Sequence, residues 1–344
     1  MEISRRNLIK LAGVAAVGVA VGKFGLQDTS VKAEKKIAEK IIQAPVVGCK
    51  NVTGTNFNGA TSKVYFTKNI DAEHLIQLYQ KINSDISGKV AIKLHTGEPH
   101  GPNILPRDMV QNFQAQIPNS TIIEANVAYG GGRSNTESHR KTLQTNGWTF
   151  SDVDIIDADG DINFPVNSGF HLKEVAMGSH LANYDSLIVL THFKGHSMGG
   201  FGGSLKNIAI GCASGKVGKR QVHGLQDYGS WVTGDLFMEL MADSGKAICD
   251  HFGKKIVFLN VMRRMSVDCD CAGTSAAEPT MKDIGMVAST DILAIDQACC
   301  DFVWNASDSK DLKERIESRH GLRQLSAMAE HKMGNSQYEL ISID

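Results

Sequence analysis

Short hydrophobic runs rich in β-branched residues recur along the chain, and each run ends in glycine or in polar residues. Such runs, bounded by turn-forming residues, are typical of β-strands. The run at 186–191 is continuously apolar in its centre, which favours a strand that is covered on both faces. The pattern predicts strands at 89–94, 121–127, 153–156, 186–191, 255–261, 284–288 and 337–343.

Between these runs, apolar residues recur at helical spacing, which predicts helices at 135–145, 236–249, 292–304, 312–316 and 322–328. Strands that alternate with helices favour an α/β fold, with a mostly parallel sheet and helices on both faces. We further expect two lobes with a crevice between them and a lobe boundary near 165–185. In such sheets ligands bind beyond the carboxyl ends of the strands, so the loops that follow the strands should carry the chemistry.

The amino-terminal segment follows a different pattern, which resembles a twin-arginine export signal. Ser4 precedes the pair Arg5-Arg6, and an uncharged apolar stretch follows at 11–22. That stretch is shorter than the roughly 20 residues of a membrane span, and it suits the hydrophobic region of a signal peptide. We interpret 1–33 as a twin-arginine signal peptide; an ordinary secretory signal and an uncleaved anchor are the alternatives. The expected partner is the twin-arginine translocation machinery, the location is periplasmic, and the mature chain 34–344 has no stable membrane span.

The balance of charge argues against one class of partner. The chain has 36 Lys and Arg residues against 37 Asp and Glu residues, so nothing indicates a nucleic-acid partner. Glycine is concentrated locally, since eight of the 34 glycines fall between Gly195 and Gly218. The seven cysteines are odd in number, and their spacing is not that of a disulfide framework. Folding before export would favour reduced thiols or thiolates that already hold a metal.

The segment 191–207 begins at the end of a predicted strand and is unusually dense in reactive side chains. It contains His192 and His196, four residues apart, together with Lys206. Glycines let a backbone approach a ligand closely, and successive free N–H groups can form an anion-binding nest. We therefore expect this segment to hold a small anionic ligand or cofactor; a glycine-rich surface loop is the alternative. The residues assigned to cofactor binding are Lys194, Gly199, Gly200, Gly202, Gly203 and Asn207.

A Cys-x-Cys pair, Cys269 and Cys271, lies beyond the fifth predicted strand. In an extended chain the two thiols point to the same face, and thiolates are the soft ligands of zinc, nickel and iron–sulfur units. Two ligands do not complete a tetrahedral site, so His192 and His196 are the natural candidates for the remaining positions. The pattern predicts a metal ion or an iron–sulfur cluster, of unknown identity, at these four residues. Two unligated thiols are the alternative.

Other polar residues near strand ends are weaker candidates. Glycines that precede a helix, as in the run 130–133, can hold a carboxylate or a phosphate. Asp291 suits the N-cap of a helix, and the adjoining Cys299 and Cys300 are interpreted as core residues. The candidates that follow the first predicted strand are His95, Glu98 and His100.

These segments together resemble the uncharacterised iron–sulfur center protein family, domain of unknown function 362 (DUF362). The matching segments are 93–98, 191–207, 211–214, 269–271, 283–285 and 294–298. Many members carry a ferredoxin-like insert with clustered Cys-x-x-Cys motifs. This chain has no Cys-x-x-Cys, and only Cys249 lies between His223 and Cys269. Two ferredoxin-type clusters are therefore excluded, and one cluster would need scattered cysteines and histidines as ligands.

A more distant resemblance is to the nickel-pincer lactate racemase family. His196, the pair Gly202-Gly203, Lys206 and His223 are similar to that family in order and spacing. In that family the lysine tethers the cofactor, and histidines act as metal ligand and as acid and base. The resemblance implies that Lys206 is the tether and that His196 and His223 are acid/base groups or ligands.

Three functions follow from these patterns. The first is an exported protein that binds a metal or an iron–sulfur centre and has a redox or accessory role. The second is a racemase- or isomerase-like enzyme on a small hydroxy acid or sugar acid, with Lys206, His196 and His223 as catalytic residues. The third is a non-catalytic protein that binds an anionic ligand. The sequence leaves open whether the protein is an enzyme.

Overall fold

The computed structural model of this chain describes residues 40–42 and 61–344. The hydrophobic runs that the sequence predicts as strands all form strands, with small shifts at their ends. The strands are β1 (Lys40–Ile42), β2 (Ser62–Thr67), β3 (Val90–Lys93), β4 (Ser120–Glu124), β5 (Val153–Ile155), β6 (Asp161–Pro165), β7 (Glu174–Gly178), β8 (Ser186–His192), β9 (Lys194–His196), β10 (Gly200–Gly202), β11 (Ile256–Met262), β12 (Gly285–Ser289) and β13 (Tyr338–Ser342).

Helices separate most of the strands, and three of them begin at a capping side chain. Asp71, Asn135 and Asp291 each accept the backbone N–H of the residue three positions on, which satisfies a free donor of the first helical turn. The helices are α1 (Ala72–Gln80), α2 (Arg107–Gln114), α3 (Thr136–Thr145), α4 (Ser204–Gly211), α5 (Gly218–Val222), α6 (Gly234–Phe252), α7 (Ile292–Asn305), α8 (Lys310–Ser318) and α9 (Arg323–Glu330). Within the described ranges, no helix combines the length and the apolar character that a membrane crossing requires.

Nine strands form one sheet in the order β1-β13-β2-β12-β11-β8-β3-β4-β5. Every neighbouring pair from β11 to β5 is parallel, whereas β12 runs antiparallel to both β11 and β2. The predicted α/β fold with a mostly parallel sheet is therefore confirmed. The strand pattern does not predict the antiparallel pairings, because the period of apolar residues is the same for both strand directions.

Successive residues of the central strands face two separate cores. In β8, Leu187 and Val189 belong to one hydrophobic cluster, whereas Ile188 and Leu190 belong to the other. The first cluster includes side chains of α4, α6, α7, α8 and α9, and the second includes side chains of α1, α2 and α3. Helices thus cover both faces of the sheet, which explains why every residue of β8 is buried.

One compact unit, Ile37–Asp344, contains all the described residues. The stretch 165–185, where the sequence suggests a lobe boundary, lies inside this unit and contains β7. That strand pairs antiparallel with β6 to form a hairpin. The sequence analysis did not predict this hairpin, α1 or α2. In α2 only Met109, Val110 and Phe113 are buried, so its apolar signal is weak.

Candidate functional site

Polar side chains occupy the carboxyl ends of three adjacent parallel strands. Lys93 ends β3, Glu124 ends β4 and His192 ends β8, and all three side chains are buried. Because parallel strands end at the same edge of a sheet, these residues lie close together, at the edge where such sheets bind ligands.

A cavity of about 220 Å³ opens at this edge. Pockets for drug-sized molecules measure about 300–1,000 Å³, so this cavity suits a small metabolite. The polar and ionisable residues that line it are Lys93, His95, Glu124, Tyr129, Arg133, Thr191, His192, Lys194, His196, Ser197, Lys206, Asn207, Lys219, His223 and Cys271.

The glycine-rich segment is regular structure rather than a loop, because β9 and β10 pair as a hairpin. Its glycines allow close packing: a Cβ on Gly195 would lie 2.2 Å from the backbone oxygen of Val267, and one on Gly203 would lie 2.4 Å from Oδ1 of Asp296. Asp296 accepts the first two N–H groups of α4 at 2.7 and 2.9 Å. These N–H groups therefore bind a carboxylate of the chain itself instead of an external anion.

The residues assigned to cofactor binding separate into two groups. Lys194, Gly202, Gly203 and Asn207 line the cavity, whereas Gly199 and Gly200 pack against the segment where α9 begins.

Asn207 also joins elements of the site. Its Nδ2 donates to the carbonyl of Leu190 at 3.2 Å, and its Oδ1 accepts from Lys93 Nζ at 3.2 Å. The Asn207 amide thus ties α4 to the ends of β8 and β3.

Cys269 and Cys271 lie where the chain enters a 3-10 turn, Asp270–Ser275, so only Cys269 has the extended backbone that the sequence analysis assumed. The turn still brings the thiols together. Their sulfur atoms and a ring nitrogen of His196 all lie within 4.8 Å of one another, and Cys271 Sγ is 3.9 Å from His196 Nε2. The structure therefore brings together three of the four residues predicted as metal ligands, and His192 lies outside the group.

The pKa values of the two thiols are shifted in opposite directions. The hydrogen bond from Cys271 lowers the pKa of Cys269 well below its usual value, and the nearby charges of Lys206 and Lys194 act in the same direction, against the effect of burial. The same hydrogen bond, together with burial, raises the pKa of Cys271 well above its usual value. The Cys269 thiol is therefore the more acidic of the two, and the thiolate is the form that binds metals.

His196 is in the Nε2–H tautomer, so its Nε2 can donate a hydrogen bond. Its Nδ1 accepts the backbone N–H groups of Met198 and Gly199 at 3.2 and 2.9 Å, so the ring proton lies on Nε2. Burial lowers the pKa of His196 well below its usual value, which keeps the ring neutral. A metal-bound histidine normally donates its second N–H to an oxygen. The hydrogen bonds of His196 therefore favour donation toward Cys271 over ligation in the present arrangement.

His192 and Lys194 hold the carboxylate between the two thiols. Nδ1 of His192 lies 2.9 Å from Asp270, and its Nε2 donates to the carbonyl of Arg263 at 2.7 Å. Lys194 Nζ lies 2.9 Å from the same carboxylate. Against the effect of burial, the charges of His192 and Lys194 lower the pKa of Asp270. Both ring nitrogens of His192 have a hydrogen-bond partner within the chain. This residue therefore positions the segment 269–271, which we call the thiol segment.

Glu124 is a site residue that sequence reasoning missed. It accepts the N–H of Thr96 at 2.9 Å and lies 3.2 Å from Lys93 Nζ and 3.4 Å from Arg133 Nη1. Arg133, which the sequence suggests as an anion site, also donates to Glu98 at 2.8 Å. Its guanidinium is therefore neutralised within the chain. A charged residue inside the predicted strand 121–127 was the available signal for Glu124.

Lys219 is a second residue that the sequence analysis missed, and it lies on α5 next to His223. Its buried Nζ donates to the carbonyl of Ala213 at 2.7 Å, and burial lowers its pKa to about 8. Nδ1 of His223 donates to the carbonyl of Lys219 at 2.6 Å, which leaves a lone pair on Nε2. Burial lowers the pKa of His223 to about 4, so this nitrogen is a free base at neutral pH. The spacing of four residues, which places both on one helical face, was the available signal.

Comparison with known proteins finds one family model, which matches the part of the chain that contains the site. The family model described as "Domain of unknown function (DUF362)" matches residues 90–301, and no curated protein matches the sequence. The lactate racemase apoprotein from Thermoanaerobacterium thermosaccharolyticum is 12% identical with a TM-score of 0.42, over 71% of this chain and 57% of its own. A protein from Thermotoga maritima is 10% identical with a TM-score of 0.39, over 76% and 60%. The chain spans less than two thirds of either protein.

Proposed function

We propose that this chain, which belongs to the DUF362 family, binds a thiophilic metal ion through the sulfur atoms of Cys269 and Cys271. The observation that carries the proposal is the group that these sulfurs form with His196, in which all ligand atoms lie within 4.8 Å of one another. Zinc, nickel and iron all accept thiolate ligands, and the hydrogen bond from Cys271 favours the thiolate form of Cys269. A metal bound there would supply Lewis-acid or redox chemistry to the cavity.

The donor set suits a single ion better than an iron–sulfur cluster. A cluster of the common kind takes four cysteine ligands. Of the other cysteines in the described part of the chain, Cys212, Cys299 and Cys300 lie in the hydrophobic core, as the sequence indicates for the last two. With two sulfurs at the cavity edge, the remaining positions fall to a small ligand in the cavity or to His196, whose Nε2 would first lose its proton.

Metal analysis of protein purified without oxygen tests this proposal. We expect close to one metal ion per chain, and we expect its loss in both Cys269→Ser and Cys271→Ser. Cys249→Ser is the matched control, because Cys249 lies away from the site at the end of α6. His196→Ala should weaken metal binding less than either cysteine variant does. Wild-type protein that carries no metal and takes up none of zinc, nickel or iron would disprove the proposal.

Proton transfer is a second candidate function, and the tautomers of His196 and His223 favour it. Both residues line one cavity, where His196 presents an N–H group and His223 presents a lone pair. A neutral donor and a neutral acceptor at neutral pH are the pair that a racemase or isomerase of a small hydroxy acid or sugar acid needs. Lys206 would anchor the cofactor or the substrate.

Isotope exchange tests this second function. Incubation of each hydroxy acid with the protein in D₂O should replace the hydrogen next to its carboxylate with deuterium, and His223→Gln should stop the exchange. His320→Gln is the control, since His320 is exposed. Absence of exchange across a panel of hydroxy and sugar acids, with Lys206 unmodified in the intact mass, would argue against this function.

We also propose export to the periplasm through the twin-arginine route, with a redox or accessory role there. The support is the sequence of 1–33, which lies outside the described residues. Replacement of Arg5 and Arg6 by lysine should keep the protein in the cytoplasmic fraction. Unchanged export of that variant would point to the ordinary secretory route.

A further inference from the structure

The positive charges around the cavity are not all neutralised by the chain. Five cationic side chains line the cavity, and three of them have a carboxylate partner within the described residues. The pairs are Lys93 with Glu124 at 3.2 Å, Arg133 with Glu98 at 2.8 Å, and Lys194 with Asp270 at 2.9 Å. The two cations left are Lys206 on α4 and Lys219 on α5.

Lys219 is the more unusual of the two, because only 4% of it is exposed. An ammonium group has three protons to donate, and within the described residues the carbonyl of Ala213 is the acceptor found for it. A buried charge is costly unless an opposite charge compensates it. Lys206, Lys219 and His223 all line the cavity, and burial together with the charges of both lysines lowers the pKa of His223.

We propose that Lys206 and Lys219 together hold the carboxylate of a small organic acid in the cavity, beside His223. Lys219 supplies the buried part of this site, and the volume of about 220 Å³ limits the ligand to a small molecule. The far end of such a ligand would reach toward the thiols. This subsite involves neither the glycine N–H groups nor a metal, so it stands independently of the proposed metal centre.

A carboxylate fits this subsite better than a phosphate does. Phosphate is commonly bound by an arginine fork or by free N–H groups at a helix start. Arg133 is held by Glu98 and Glu124, and the N–H groups at the start of α4 bind Asp296. The two lysines remain, and neither offers the bidentate donor fork that arginine presents to a phosphate.

Titration with malonate tests the subsite in the full chain, after reduction and removal of metal with a chelator. Calorimetry measures the affinity. The fluorescence of Trp231, whose ring centroid lies 4.4 Å from that of His223 with the planes tilted by 59°, reports on the cavity. We expect malonate to bind and Lys219→Met to weaken it by about tenfold or more, the value of one charge-assisted hydrogen bond. Lys219→Arg should restore part of the affinity. Lys216→Met, an exposed lysine of the same segment, should bind like wild type.

Three outcomes would overturn the subsite. They are no malonate binding by folded wild-type protein, equal affinity in Lys219→Met, and binding of inorganic phosphate without binding of malonate. If Lys219→Met fails to fold, Lys206→Met provides the same comparison and should also lose at least about tenfold in affinity. Because the measurement uses metal-free protein, its failure leaves the metal proposal untouched.

Discussion

Two walls of the same cavity differ in whether their charged side chains have partners of opposite charge. In the thiol wall (Lys194, His196, Cys269, Asp270 and Cys271), Lys194 lies 2.9 Å from Asp270, and the two sulfurs and a ring nitrogen of His196 lie within 4.8 Å of one another. In the α5 wall (Lys219 and His223), the lysine donates to a carbonyl and the histidine keeps a free lone pair. The thiol wall is arranged in advance by its own contacts. The α5 wall instead has a buried lysine, whose charge Asp157 and Glu124 offset only in part, and a histidine with a free lone pair. This difference is why we propose the metal at one wall and the organic ligand at the other.

Removal of a lysine should therefore change stability with opposite sign on the two walls, and the larger effect is expected at the thiol wall. Lys194→Met leaves Asp270 with Nδ1 of His192 as its remaining side-chain partner. Breaking a buried ion pair costs about 3–5 kcal/mol, and we expect a loss near the lower end, about 3 kcal/mol, because His192 stays in place. Urea denaturation of the reduced, metal-free protein measures the free energy of unfolding.

Lys141→Met is the control for this substitution. It removes an exposed i,i+4 pair with Glu137 on α3, and exposed pairs contribute little. If Lys194→Met were as stable as this control, the Lys194–Asp270 contact would not hold the thiol segment, and the contrast between the walls would be lost.

Lys219→Met should instead stabilise the free protein at neutral pH. Burial lowers the pKa of Lys219 to about 8, from 10.5 in the unfolded chain. Between these values the unfolded state binds more protons, so the stability of the wild type rises with pH across this window. Below pH 8, the buried charge lowers the free energy of unfolding of the wild type by at most about 3 kcal/mol. The variant has no such charge and does not lose this stability.

The pH dependence separates this explanation from a general packing effect. The advantage of Lys219→Met should be complete below pH 8 and should disappear as the pH rises toward 10.5. Urea denaturation at intervals across this range, for both proteins, measures it. An advantage that does not vary with pH would mean that packing, not charge, causes it. A loss of stability at pH 7 would show that Lys219 is neutralised within the free protein.

The two walls also differ in how far the sequence predicts them. The thiol wall was largely predictable, because Cys269 and Cys271 lie two residues apart and His196 lies just beyond a buried strand. The position of His192 was not, since its partners Asp270 and the carbonyl of Arg263 are more than 70 residues away. Lys219 looks like an ordinary surface lysine in the sequence. Its burial results from the packing of α5 against β7, which no local pattern reveals.

The fold shows the same division between local and long-range information. The apolar runs predict where the strands lie, because a strand buried on both faces needs apolar side chains at consecutive positions. They do not predict that β12 runs antiparallel, or that β2 lies between β12 and β13. Strand order and direction depend on the connections between elements. The place of the site was predictable because ligands bind at the carboxyl ends of the strands in parallel sheets. This rule holds for the sheet as a whole and does not depend on any one segment.

The smallest difference between the walls is the tautomer of their histidines, His196 in the thiol wall and His223 in the α5 wall. Nδ1 of His196 accepts two backbone N–H groups, and Nδ1 of His223 donates to a carbonyl. Both rings are neutral at pH 7, because burial lowers both pKa values. Two-bond ¹H–¹⁵N correlation spectra of histidine-labelled protein should therefore show the Nε2–H tautomer for His196 and the Nδ1–H tautomer for His223, with His196→Gln and His223→Gln to assign the signals. Metal uptake should shift the His196 signal more than the His223 signal, and malonate should do the reverse. The same tautomer at both residues would remove the donor and acceptor pair, and with it the support for proton transfer across the cavity.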